Sequence, residues 1–220
     1  MADIADIKEL ARGLCLMNIA NGTIDLDDET VSNKEYLYQI LKQEAKLRAK
    51  KKANDVYRSS CLQKKVFDET RIISGLRWQL EEIRKIDFRN CIQNIVIVGE
   101  CATGKTALAA RIAKEAIANG TTAVYSTEED LVMSARRQKS HWSRILRSDL
   151  IVVDDLFYLK PSEENLQLLY KTVMFLSETR SFIIVTNRQL SEWDNMGVDK
   201  HTVSTFRQRI MVGAQLIHLG

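Results

Sequence analysis

Residues 94–106 read NIVIVGECATGKT, an unbroken apolar run set against a glycine-bearing loop. Ile95, Val96, Ile97 and Val98 are all β-branched, the pattern of a strand buried on both faces of a parallel sheet. In the loop, Gly99 and Gly104 let the backbone curl so that successive amides face inward, a nest for an anion at the start of a helix. Phosphate is its natural occupant. Lys105 reaches the β- and γ-phosphates as a point charge, and the Thr106 hydroxyl is placed to ligate magnesium. Behind the loop, ALAARIAKEAIANG is alanine-rich, helical in period and stopped by Asn119 and Gly120. Strand, loop and helix thus come in the order that phosphate binding requires. Gly99, Glu100, Cys101, Ala102, Thr103, Gly104, Lys105 and Thr106 are the expected ATP-binding residues.

Toward the C-terminus the alternation repeats. Strands are expected at TTAVYST, LIVVDDL and SFIIVTN, and helices from about Glu128 to Arg137 and about Glu163 to Glu178. This spacing predicts an α/β fold with a parallel sheet flanked by helices. Pro161 falls in a loop, so it interrupts no expected element. The closing segment TVSTFRQRIMVGAQLIHLG reads as a helix turning into a last strand. Two acids, Asp154 and Asp155, end the strand that starts at Leu150, where phosphate-loop enzymes keep a second acidic element. Asp154 would hold magnesium with Thr106, and Asp155 would polarise the water that attacks the γ-phosphate. Asn187, at the end of SFIIVTN, sits where open α/β sheets bind ligands and could orient that water.

Toward the N-terminus the chain reads as helical. Apolar residues from Ile4 to Ala20 recur at helical spacing, with Ile7, Leu10, Leu14 and Met17 expected on one face. Ser32 and Glu35 form a capping-box pattern opening a long amphipathic helix that carries Tyr36, Leu37, Ile40, Leu41 and Leu47 into a basic tract. A further helix is expected from about Ile72 to Arg84. The organisation inferred is a basic helical appendage over residues 1–65 and a nucleotide-binding domain over 66–220.

Composition narrows the function classes. With 45% hydrophobic and 28% charged residues, and no apolar run near the roughly 18 residues of a membrane span, the chain reads as a soluble protein. Its start carries acids where a secretory signal carries bases, so no export is expected. The scattered cysteines Cys15, Cys61, Cys91 and Cys101 show no metal-site spacing and fit a reducing cytoplasm. A net charge of +3 is only mildly basic, but Lys50, Lys51 and Lys52 cluster, as do Arg136, Arg137 and Lys139. Both clusters are candidate contacts for a polyanion.

Taken together, GECATGKT, LIVVDDL, IIVTNRQLSEW and the arginine in STFRQRI resemble the AAA+ ATPases, within them the IstB-like and DnaC-like branch. The likeness covers nearly the whole chain; NKEYLYQILKQEAKLRAKKK is similar to the appendage of the IstB transposition helpers. The resemblance implies a magnesium-dependent ATPase that binds DNA and oligomerises with ATP between subunits. Arg209 would be the finger reaching a neighbour's γ-phosphate, with Arg207 as the alternative. Arg136, Arg137 and Lys139 would lie where this branch contacts the DNA backbone. Asp155 departs from AAA+ enzymes at large, which carry glutamate there; the shorter acid implies slower hydrolysis. A further arginine beyond the last strand, common in relatives, is missing from the sequence up to Gly220.

Two functions share that resemblance: a transposition helper that captures duplex DNA and recruits a transposase, and a replicative helicase loader of the DnaC type. The basic tract at Lys50 to Lys52 favours the first, because a helicase-docking appendage would need apolar surface more than phosphate-binding surface. A small-molecule kinase, which also has a phosphate loop, would need lid arginines and an acceptor pocket. The acidic pair and Arg209 point instead to an ATPase.

Overall fold

A computed structural model of the 220-residue chain describes residues 4–24, 33–62, 66–68, 70, 74–138, 140–193 and 200–220. Ser32 and Lys139 lie outside the described residues. Two compact units part between Asp55 and Val56.

The first unit holds α1 (Ile4–Gly13), α2 (Met17–Ala20) and most of α3 (Asn33–Ser59). A single helix over Ile4 to Ala20 does not form. The helix ends in a Schellman motif, with Leu16 N bonded to Ala11 O at 2.7 Å and Cys15 N to Arg12 O at 3.1 Å, around Cys15 at φ 57°. Cysteine is no stop signal, so the sequence did not announce the break. The break also re-aims the side chains. Ala11, Ile19, Ala20, Ile24 and Ile40 form the core of this unit, with Leu16, Tyr36 and Leu47 packed against them. Of the residues read on one face, Leu10 is 69% and Leu14 70% exposed. Leu37 and Leu41 are exposed as well. Lys50, Lys51 and Lys52 lie exposed on α3.

In the second unit, α4 (Ser74–Arg84) precedes β1 (Ile95–Gly99) and α5 (Lys105–Ala118). β2 (Ala123–Thr127), α6 (Glu128–Arg137), α7 (Ser140–Arg147) and β3 (Leu150–Asp154) follow. The chain continues through α8 (Glu163–Ser177), β4 (Ser181–Thr186), α9 (Leu190–Trp193), α10 (Lys200–Met211) and β5 (Gln215–Leu219). The strands form one parallel sheet in the order β2-β3-β4-β1-β5, as the alternating pattern implied.

Each central strand is buried on both faces, which is why it reads as a continuous apolar run. On one face Val96, Val98, Ile151, Val153, Phe182 and Ile184 meet Leu131, Leu169, Val173, Phe206 and Ile210 from the covering helices. On the other, α5 lies against β1, β3 and β4, with Ala109 and Ala113 fully buried. Alanine leaves the helix axis close to the strands, and that seats the helix start, with its open amides, directly at the end of β1.

Two short helices were not anticipated. α7 carries an inward Ile145 flanked by half-buried Trp142 and Leu146, too brief a pattern to separate from a basic loop. α9 is a single turn closed by the fully buried Trp193. Among the described residues no helix is long and apolar enough to cross a membrane.

Candidate nucleotide site at the carboxyl edge of the sheet

The phosphate loop joins β1 to α5. Gly104 stands at φ 96° immediately before the helix, and Ala102 at φ 64°. Two left-handed residues in a three-residue stretch produce the curl that turns the amides inward. Gly99 serves a different need from the one read from sequence. It has no positive φ; a Cβ there would lie 1.9 Å from the carbonyl oxygen of Leu219 on β5. Glycine at 99 lets the last strand close against the loop, a long-range contact invisible in the motif.

Lys105 is buried, its Nζ donating to Glu100 O at 2.6 Å, and Thr103 Oγ1 donates to the same carbonyl at 2.9 Å. The loop is thus braced internally around the Glu100 peptide. A cavity of about 520 Å³ opens beside it. Cys101, Ala102, Gly104, Lys105 and Thr106 border this cavity from the loop, and Asp154, Asp155 and Asn187 from the ends of β3 and β4. The fold therefore brings residues 101–106, 154–155 and 187 to one place, although they are scattered along the sequence.

The two acids differ in their surroundings. Asp154 is 2% exposed; its Oδ2 accepts from Tyr125 Oη at 2.8 Å and its Oδ1 from the Asp155 amide at 2.9 Å. Asp155 is exposed and stands at φ 55°. One acid is buried and held by hydrogen bonds, while the other is exposed at the border of the cavity. Tyr125 was not foreseen, yet period-two geometry contained it: Thr127 pairs with Asp154, and Tyr125 lies two residues earlier on the same face of β2.

Asn187 Nδ2 lies 3.7 Å from Cys101 Sγ, and its Oδ1 is buried with no hydrogen-bond partner among the described residues. Among the described residues it is one of four such atoms and the one whose residue borders the cavity, so it can accept from a group bound there. Together with the amide nest, Lys105 and the hard oxygen donors of Thr106 and Asp154, it suits a triphosphate and a small divalent cation such as magnesium. Val66, Phe67 and Asp68 border the same cavity from the segment before α4.

The remaining candidates lie elsewhere. Arg209 is exposed on α10, its Nε donating to Ser177 Oγ at 3.1 Å, and it does not border the cavity. Arg207 donates to Leu190 O at 3.4 Å. Arg136, at the end of α6, pairs with Glu164 Oε1 and Asn165 Oδ1, both at 3.1 Å, and Arg137 is exposed beside it.

Sequence reasoning also passed over Glu128 and Arg188. Glu128 opens α6 and turns inward, its Oε2 accepting from Phe157 N at 2.6 Å; burial pushes its pKa up to about 7. Arg188 Nε donates to Phe157 O at 2.6 Å. An acid at a helix start and a base after a strand are ordinary features, and neither signals a bond to the backbone of one residue about 30 positions away.

The strand order, the phosphate nest and the acidic strand end define an AAA+ P-loop nucleotide-binding protein. The chain belongs to the family of IstB-like ATP binding proteins, whose model matches residues 6–220. Among relatives, an insertion sequence IS21-like ATP-binding protein from Bacteroides fragilis is 28% identical over 230 residues, covering 98% of this chain and 87% of its own length. Two solved structures share the fold. The DnaC helicase loader aligns at TM-score 0.55 and 15% identity over 74% of this chain and 98% of its own. AMPPCP-bound DnaA from Aquifex aeolicus aligns at TM-score 0.52 and 23% identity, over 72% of this chain and about half, 51%, of DnaA.

Proposed function

We propose that this protein is a magnesium-dependent ATPase that assembles on duplex DNA, with ATP held between neighbouring subunits, and assists transposition by capturing target DNA and recruiting a transposase. The observation that carries the proposal is the convergence at one cavity of the amide nest, Lys105, Thr106, the acidic pair and the orphan Asn187 Oδ1. Family membership and the insertion-sequence relative support the biological role.

In this reading the loop amides and Lys105 bind the β- and γ-phosphates, and Val66 and Phe67 offer an apolar wall suited to the purine. Thr106 Oγ1 and Asp154 hold magnesium, directly or through water; bound there, the ion neutralises charge on the phosphate oxygens. Asn187 orients a water in line with the terminal phosphorus. Asp155 takes up a proton from that water as its oxygen bonds to phosphorus, and the bond to the bridging oxygen breaks to give ADP and phosphate. Arg209, exposed and away from the chain's own cavity, is available to a neighbouring subunit's γ-phosphate. Arg136, Arg137, Lys139 and Lys50 to Lys52 bind DNA phosphates without reading sequence.

The test is the ATPase rate and particle size of the purified protein with ATP, in the presence of duplex DNA, single-stranded DNA or neither. Duplex-dependent assembly is expected. The likeness to the DnaC helicase loader over nearly its whole chain supports a second reading, a helicase loader; assembly on single strands alone would select it. Indifference to both DNAs would refute nucleic-acid binding.

A further inference from the structure

The turn that follows β3 holds a backbone shape that its residues do not favour. Asp155 and Phe157 both lie in the left-handed region, at φ 55° and 59°. Non-glycine residues stay there only when their surroundings over-determine them. The ties are visible one by one. Leu156 N donates to Val185 O at 2.9 Å and Thr186 Oγ1 to Leu156 O at 2.8 Å. Tyr158 N closes the turn onto Asp155 O at 3.0 Å. The Phe157 ring is fully buried, edge-on to Trp193 at 5.2 Å between centroids. Its backbone is held on both sides of the Cα, the N–H by the Glu128 carboxyl and the C=O, which belongs to the next peptide group, by the Arg188 guanidinium, each at 2.6 Å.

Arg188 also pairs with Glu192 one turn on, at 3.7 Å, but Glu128 is not explained by local needs. Glu129 and Asp130 already supply acids to the first turn of α6, from exposed positions; Glu128 alone turns inward. Among the described residues no cation pairs with it, and burial disfavours its charge. Such a carboxyl is retained for the single group that it contacts. That group is the peptide two residues beyond the acid that faces the cavity.

We infer that Glu128 and Arg188 are positioning residues for hydrolysis: by holding the N–H and the C=O of Phe157, in the two peptide groups that flank it, they set the turn that aims Asp155 at the attacking water. Neither touches the nucleotide. The inference rests on the reading of Asp155 as the group that accepts the water's proton. It explains how an aspartate, one methylene short of glutamate, is held at the reacting atoms: the backbone is displaced instead.

The experiment compares kcat for ATP with the affinity for a fluorescent ATP analogue in the full chain, alone and with duplex DNA. Glu128→Ala should lower kcat at least about tenfold, in line with the sensitivity of catalysis to displacements of about 1 Å, while affinity stays within about twofold. Glu128→Gln, whose amide oxygen can accept the same N–H, should restore kcat to near wild type. Should Glu128→Ala fail to fold, Glu128→Asp withdraws the oxygen with little loss of packing and should show the same split. Turnover falling in step with affinity, or Gln as impaired as Ala, would overturn the positioning role. Asp155→Asn is run in parallel. If it loses turnover while Glu128→Ala and Glu128→Asp do not, positioning fails and the site reading stands; if Asp155→Asn keeps full turnover, both fall.

Discussion

The two edges of the sheet in the second unit are made of the same kinds of residue and behave in opposite ways. At the amino edge Asn94, Asp149 and Ser181 find partners within the chain. Asn94 accepts from Phe182 N and donates to Ile210 O, both at 3.0 Å. Asp149 accepts from Thr122 N and Oγ1, and Ser181 Oγ from Gln93 N. At the carboxyl edge an asparagine at the end of an equally buried strand keeps an orphan oxygen, and the turn beside it is strained. Polarity at a strand end is therefore no guide to function by itself. What separates a brace from a binding site is whether the protein completes the group's hydrogen bonds.

That contrast can be broken most forcefully at Lys105. Lys105→Ala should weaken ATP binding about a hundredfold, since charged hydrogen bonds contribute roughly 1.5–3 kcal/mol each and the nest would lose its cation. Titration calorimetry measures this, and unchanged affinity would refute the nucleotide assignment. Asp155→Asn should reduce turnover about a hundredfold, the lower range of a general base, with ATP still bound; full activity would move the base elsewhere.

At the opposite edge Asn94→Ala should leave ATP affinity alone and lower stability by about 1–3 kcal/mol through unsatisfied backbone groups. Denaturant unfolding with and without nucleotide separates the two effects; a loss of ATP affinity would erase the distinction between the edges. Arg136→Ala with Arg137→Ala should weaken DNA binding and flatten its dependence on salt by a slope of about 2. An unaltered slope would leave Arg136 as the surface partner of Glu164 that it is in the free protein.

The smallest effect concerns pH. The folded Glu128 carboxyl titrates at about 7, above its ordinary value of 4.5. A carboxyl raised in the folded state binds more protons there than in the unfolded chain, so its contribution is complete below about 4.5 and is lost as pH rises through 7. Thermal unfolding should show Glu128→Gln gaining on the wild type between pH 5 and pH 8. A constant difference would mean that burial does not perturb this carboxyl.

Much of the site was legible because its signals are local. The nest, Lys105, Thr106 and the acidic pair declare themselves within a few residues of a strand end, and β-branched runs announced the strands that carry them. The first unit was read less well. Its apolar spacing gave the helical class, but a cysteine in the left-handed position ended α1 early and turned Leu10 and Leu14 outward. The small helices α7 and α9 were missed because segments of eight and four residues carry too little periodicity.

The sequence by itself determined a parallel α/β sheet with a phosphate loop, because buried parallel strands and anion nests each impose a pattern on contiguous residues. Only the tertiary structure decided that Gly99 yields to β5, that Tyr125 holds Asp154, and that Glu128 and Arg188 both hold the backbone of Phe157. Those contacts join residues some 30 to 120 positions apart. Their chemistry is ordinary at each end, and only the folded chain brings the ends together.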